Sequence, residues 1–335
     1  MKIKITILFA LILIFTLLDF SIGSISLNIN DIFSFFTGQL SYDNPAYIII
    51  KDLRLTRVLS AIVSGFSLAI AGTLMQSYFR NPLAGPYVLG ISSGAGLGVA
   101  IFISLTHQIN NLLNTNVITL GISGFSIIGT ILFMMIIYIL SLKLQNSLSL
   151  LIAGILLGTA ANAVITFIQS ISNGLQIQSY VFWTMGNLNN TQFNISLIIL
   201  IIAIFSFIIL LIYSKWFDLW LIGEEQAIST GLSKKAFTFI TFSITTILIG
   251  LTTAFYGPIA FVGLISPHFA RLLFKTQIHS KFITYSALIG TIIMLTSDII
   301  SQIFNYAYLP LNTITSFLAI PMLTYIFFKR KELWM

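Results

Sequence analysis

The chain has 335 residues, of which 57% are hydrophobic and 7% charged, with 16 Lys and Arg against 9 Asp and Glu. An ordinary soluble domain carries roughly 25% charged residues, so a water-exposed globule of this make-up would be hard to keep in solution and the bilayer is the expected solvent. The absence of cysteine excludes a disulfide scaffold, cysteine-ligated zinc and a lipidated cysteine anchor.

A spanning helix needs about 20 mostly apolar residues. Ten such runs stand at 5–26, 57–78, 86–107, 117–142, 149–171, 193–214, 235–256, 259–274, 280–301 and 313–329. They leave no room for a soluble catalytic domain. The expected fold is an all-α polytopic membrane protein of about ten transmembrane helices, with 1–335 as one domain. The start Met1-Lys2-Ile3-Lys4 and its apolar run could open a signal peptide, but no small-x-small cleavage site follows, so a retained first helix is expected.

With a cytoplasmic N-terminus and ten spans, thirteen of the sixteen basic residues fall inside, as the positive-inside rule requires. The other three, Lys51, Arg54 and Arg57, sit together on the outer side just before the second run and need a local reason. The basic residues are not interleaved with stacking aromatics, so no nucleic-acid partner is expected.

Further along, Asn81-Pro82-Leu83-Ala84-Gly85-Pro86 cannot continue a regular helix, because proline lacks the donor and disfavours the helical region for the residue before it. This marks a cytoplasmic turn. Gly90, Gly94 and Gly98 recur every four residues, as do Gly154 and Gly158, a spacing that lets another backbone approach closely in ordinary helix packing. In the fifth run Asn162, Thr166, Gln169 and Asn173 fall at steps of three and four and form one polar stripe. Polar groups in the membrane face a bundle interior or a watery cavity, so the stripe is either a pathway wall or internal hydrogen bonding. The inner loop 215–235 carries Asp218, Glu224, Glu225 and Gly231. Within it Ala227 to Gly231 reads as a short helix and its stop, either a solvated loop or a docking element for a soluble partner. Gly257-Pro258 followed by Gly263 and Ser266 echoes Gly85-Pro86 followed by Gly90 and Ser92 in helices of opposite direction, the pattern of an inverted-topology repeat. His268 has no second histidine or carboxylate at metal-ligand spacing, and His107 and His279 fall near opposite faces, so no metal site is expected. No glycine loop with lysine is present to cradle phosphates, so ATP chemistry would belong to another chain.

Six stretches carry a resemblance. They are Arg54-Leu55-Thr56-Arg57; Gly72-Thr73-Leu74-Met75-Gln76 with Asn81-Pro82-Leu83-Ala84; Leu89-Gly90-Ile91-Ser92-Ser93-Gly94-Ala95; Trp183-Thr184-Met185-Gly186; Gly223-Glu224-Glu225-Gln226-Ala227 with Gly231; and Gly257-Pro258-Ile259 through Pro267-His268. In this order the chain resembles the FecCD family of permeases, the membrane subunits of type II ATP-binding-cassette importers for iron-siderophores, haem and cobalamin. The resemblance implies ten helices per subunit, two subunits per transporter (a second copy or a paralogue), membrane lipid around them and no cofactor. It also implies separate ATPase subunits and an extracytoplasmic substrate-binding protein, in a bacterial inner membrane. Residue by residue, it assigns Lys51, Arg54 and Arg57 to binding-protein docking and Gly223, Glu224, Glu225, Ala227 and Gly231 to ATPase coupling. Asn81, Leu83, Ser147, Ser149, Asn162, Thr166 and Gln169 fall to the pathway and its inner gate. The chain departs from the family pattern at Thr56, where proline is usual, at Gln302, where an outer arginine is common, and at Asn312 and Ala319, where glycine is usual.

Two other classes make weaker fits. An ion-coupled secondary transporter needs ionisable groups inside the membrane, and here only Asp298, with Asp19 near a helix end, offers one. A membrane-embedded enzyme needs a nucleophile-base or metal constellation, and the sequence displays none.

Overall fold

The computed structural model describes residues 2–23, 28–41, 43–106, 115–144, 147–189, 191–303 and 309–328. Helix α1 (Lys2–Ser21) is followed by the short α2 (Ile29–Phe36) and α3 (Pro45–Ile48). A wide π-helical segment, Ile49–Leu55, then feeds directly into α4 (Thr56–Tyr78). Helices α5 (Ile91–Thr106), α6 (Thr115–Lys143) and α7 (Ser147–Ser170) come next, then α8 (Gly174–Met185) and α9 (Phe193–Ile222). The chain closes with α10 (Glu224–Ser229), α11 (Lys234–Tyr256), α12 (Val262–Phe274), α13 (His279–Ile303) and α14 (Leu311–Phe328). The ten runs of the sequence correspond to α1, α4 to α7, α9 and α11 to α14. Among the described residues, seven helices are long and apolar enough to cross a membrane unaided, while α5 and α12 are shorter apolar helices.

The short pair has a physical cause. Before α5 the chain makes a 3-10 turn, Pro86–Leu89, closed by Gly90 at φ 72°, so the run expected at 86–107 becomes helical only at Ile91. Before α12 it passes Gly257 at φ 79° and Phe261 at φ 66°, so the run expected at 259–274 starts late as well. Non-helical backbone at membrane depth is tolerated only where the protein satisfies its polar groups. Here the Ala260 N–H donates to Asn312 Oδ1 at 3.1 Å, and the Tyr87 hydroxyl donates to the Ile259 carbonyl. Asn312, where the family pattern has glycine, therefore supplies a structural acceptor.

The central helices are α4, α11 and α13, whereas α1, α6, α7 and α9 keep most of their surface outward. Bare glycine contacts set the centre. A Cβ on Gly72 of α4 would lie 1.7 Å from the Gly263 carbonyl oxygen of α12, and one on Gly65 would lie 2.4 Å from that of Gly290 of α13. These are backbone-to-backbone approaches of the kind small residues permit in membranes. Tyr78, at the end of α4, meets Thr238 near the start of α11 at 3.1 Å, so the two helices run antiparallel. Each is followed by a break and a short helix. That is the spatial form of the echo seen in the sequence.

Helix α8 has no counterpart among the ten runs. It doubles back along α5: Gln176 Nε2 donates to the carbonyls of Ile103 and Ser104, while Tyr180 and Trp183 flank Gly96. Asn173, expected on the stripe of the fifth run, lies beyond α7 and caps α8, its side chain accepting from the Gln176 N–H.

Candidate functional site

Three of the stretches that carried the resemblance meet in space. A Cβ on Gly257 would meet the Trp183 carbonyl oxygen at 2.6 Å and Gly186 Cα at 2.9 Å, and the Asn187 N–H donates to Tyr256 O at 2.9 Å. Gln76 Nε2 donates to the Leu264 carbonyl at 3.0 Å. Gly90 packs on Gly154 and Gly158 of α7. The Gln76 contact joins motifs 188 residues apart in the chain.

At one end of the bundle, Lys51 and Arg54 lie in the π-helical segment and Arg57 opens α4. Spacing of three in an α-helix would aim Arg54 and Arg57 alike. The wider winding of the segment separates them instead. Arg54 Nη1 donates to the carbonyls of Phe20 (2.8 Å) and Ser21 (3.3 Å) at the C-terminus of α1, where a helix presents unpaired carbonyls and negative dipole charge. Arg57 turns to α13 and grips Asp298 through Nε and Nη2 at 2.8–3.0 Å, and Nη2 also donates to Ser301 Oγ. Asp298 is 1% exposed and Arg57 23%. The two arginines thus engage different helices, Arg54 the end of α1 and Arg57 α13. Thr56, at the usual proline position, donates its hydroxyl to the Lys51 carbonyl at 3.0 Å and closes the wide turn. Gln302, at the usual arginine position, points inward and donates to Asp19 Oδ1 at 2.6 Å and Asp298 Oδ2 at 3.1 Å. The two ionisable groups that could have served an ion-coupled carrier are thus engaged in one interhelical network.

Along its C-terminal half, α7 leaves Asn162 and Thr166 exposed and Gln169 half-buried. The Thr166 hydroxyl donates to the Asn162 carbonyl at 2.9 Å. Among the described residues, the Asn162 amide makes no hydrogen bond within the chain.

At the opposite end, Asn81 Oδ1 accepts from the Leu83 N–H at 2.9 Å and fixes the turn after α4. Ser147 and Ser149 lie in the first turn of α7, with Ser149 exposed. The loop 223–231 holds α10, which starts at Gly223 (φ 147°) and is followed by Gly231 (φ 95°). Ala227 is buried, Glu225, Ile228 and Ser229 are exposed, and Glu224 pairs with Lys234 at 2.5 Å. Beneath α10 lies an aromatic floor. Trp220 stacks on Tyr78 at 5.7 Å and donates its indole N–H to the Tyr78 carbonyl at 2.8 Å, and Phe237 packs against both rings.

The sequence also hid a serine, histidine and aspartate set. His279 Nδ1 lies 2.8 Å from Asp218 Oδ1 and its Nε2 lies 3.0 Å from Ser77 Oγ. The three come from α4, α9 and α13, so no spacing could have revealed them. Ser77 is buried at 1% exposure, which denies a substrate access to its hydroxyl, and the arrangement reads as a tie between helices. His268 is buried in α12, and no group of three metal-ligating side chains occurs among the described residues.

A bundle with buried central helices, helices broken at depth and a helix whose polar face looks outward defines the chain as a polytopic transport permease. A model of the FecCD transport family matches residues 11–329, and the chain belongs to that family. It is the membrane-spanning permease subunit of an ATP-binding-cassette importer, with ATP hydrolysis on a separate subunit. The hemin transport system permease protein HmuU of Yersinia pestis is 30% identical over 327 residues, 97% of this chain and 95% of that protein. The vitamin B12 import system permease protein BtuC of Serratia proteamaculans is 30% identical over 290 residues, 86% and 84% of the two chains. A solved ABC transporter assigned to the metal-chelate type, in an inward-facing conformation, has the same fold, with a TM-score of 0.85 at 24% identity over 98% of this chain and 100% of its own.

Proposed function

We propose that this chain pairs with a second copy or a paralogous permease and passes an iron-siderophore, haem or cobalamin-type chelate from an extracytoplasmic binding protein to the cytoplasm. The observation that carries the pathway is the exposed Asn162 amide on α7. Lipid offers no hydrogen bond, and leaving a polar group there unpaired is costly. The α7 face with Asn162, Thr166 and Gln169 therefore meets water and a neighbouring permease. The inner gate lies at the helix ends that carry Asn81, Leu83, Ser147 and Ser149.

Both termini are cytoplasmic in this reading, which places residues 223–231 inside. The exposed side of α10, with Glu225, Ile228 and Ser229, seats on the ATPase subunit, while Gly223 and Gly231 allow the turns and Ala227 anchors the helix to the permease. On the outer face, Lys51 and Arg54 lead the contact with the binding protein. Arg57 supports them from its bond to Asp298. The cargo class rests on the family and its named relatives.

The cysteine-free chain makes the pathway testable. Single cysteines at Asn162 and Thr166 in the assembled transporter should react with a water-soluble maleimide, and a cysteine at Leu13 on the outward face of α1 should not. Equal protection at all three positions would refute an aqueous pathway along α7.

A further inference from the structure

Resting on the reading of residues 223–231 as the ATPase-coupling segment, we propose that His279 is the positioning residue that makes the coupling segment and the inner gate move as one body. Asp218 lies one helical turn before the end of α9, which leads through Gly223 into α10. Ser77 lies in the last turn of α4, ahead of the Asn81 and Leu83 turn. His279 opens α13 and touches both.

The chemistry of the contact is specific. The first N–H groups of a helix lack intrahelical partners and favour an anionic cap. Asp218 supplies that cap from another helix: its Oδ1 accepts from the His279 backbone N–H at 2.9 Å and lies 2.8 Å from His279 Nδ1. A carboxylate can only accept, so Nδ1 carries a proton and donates to Asp218, while Nε2 makes the 3.0 Å contact with the Ser77 hydroxyl. The imidazole is 3% exposed and packed by Phe217 and Phe282, so it has no room to swing away. One ring thus fixes the ends of α9 and α4 at a set separation. The Trp220 bond to the Tyr78 carbonyl joins the same two helix ends a few residues along, but without α13. The His279 hydrogen bonds tie all three helices.

The test uses the assembled transporter with its ATPase subunits. Spin labels on cysteines introduced at Ser229, in the coupling segment, and Leu83, in the gate turn, are common to every variant, and the pair distance is measured without nucleotide and trapped with ATP and vanadate. The unsubstituted chain is expected to give one distance population that does not change on trapping. His279→Ala should add a second, displaced population in the trapped state. His279→Gln, whose amide can donate to Asp218 and accept from Ser77, should restore the single one. Should His279→Ala fail to assemble, Ser77→Ala cuts the link to α4 alone and should give the same displaced population. A single, unshifted population in the trapped His279→Ala or Ser77→Ala complex would overturn the proposal. Failure of the unsubstituted chain to hold the ATPase subunit would instead overturn the coupling reading, and the proposal with it.

Discussion

Replacing Arg57 by alanine separates its two possible roles, because the structure commits it to Asp298. That carboxylate is 1% exposed and receives three hydrogen bonds from the guanidinium at 2.8–3.0 Å. Without Arg57 it keeps Gln302 and Ser301 as partners but loses its cation. Removing one partner of a buried ion pair costs about 3–5 kcal/mol, since the other charge stays buried and unpaired. Arg57 retains some contact with solvent, at 23% exposure, so the lower end, about 3 kcal/mol, is expected, roughly a 150-fold fall in the folded-to-unfolded ratio. The assay is a denaturation series on the detergent-solubilised permease, run for Arg57→Ala, Asp298→Ala and the double variant. The double variant should be more stable than the sum of the single losses implies, by about 0.5–3 kcal/mol, the usual coupling of contacting residues. Wild-type stability in Arg57→Ala, with additive single effects, would refute the pairing and return Arg57 to the binding protein alone. Charge reversal at Arg57 is a poor docking test for the same reason: a glutamate there would face Asp298.

Other outcomes follow from close approaches and exposed surfaces. Gly72→Leu should strongly reduce folded permease, because its first side-chain atom would already lie 1.7 Å from the Gly263 carbonyl and overpacking costs about 1–3 kcal/mol or more, whereas Gly124→Ala, with nothing within 4 Å, should melt like the parent. At the coupling segment, Glu225→Lys and Ile228→Glu should weaken copurification of the ATPase subunit while the permease stays folded. Glu224→Ala should do so less, since Glu224 is held by Lys234 within the chain. Undiminished copurification in both exposed-site variants would remove α10 from the interface.

Much of this was legible in the sequence because the bilayer imposes a simple rule: long apolar runs with few charges must be helices that satisfy their own backbone. The same rule hid α8. Its twelve residues, interrupted by Gln176, Tyr180 and Thr184, are too short and too polar to register as a span. It also misplaced the starts of α5 and α12; the break before α12 is held by Asn312 and by Tyr87, which sits in the break before α5, partners remote in sequence. Arg54 and Arg57 were found by their defiance of the positive-inside rule, but their directions were not readable, since a π-helical turn is set by tertiary contacts and Thr56 gives no local warning of it. The tie among Ser77, Asp218 and His279 is wholly tertiary. Each member alone resembles an ordinary helix-end residue.

The most direct test of the account is uptake by proteoliposomes that contain this permease with its ATPase subunits and binding protein, offered haemin, a ferric siderophore or cobalamin. The account predicts that one of these accumulates only when the binding protein is outside, ATP is inside and the ATPase subunit is present. Uptake by the permease alone, driven by a proton or sodium gradient, would contradict it.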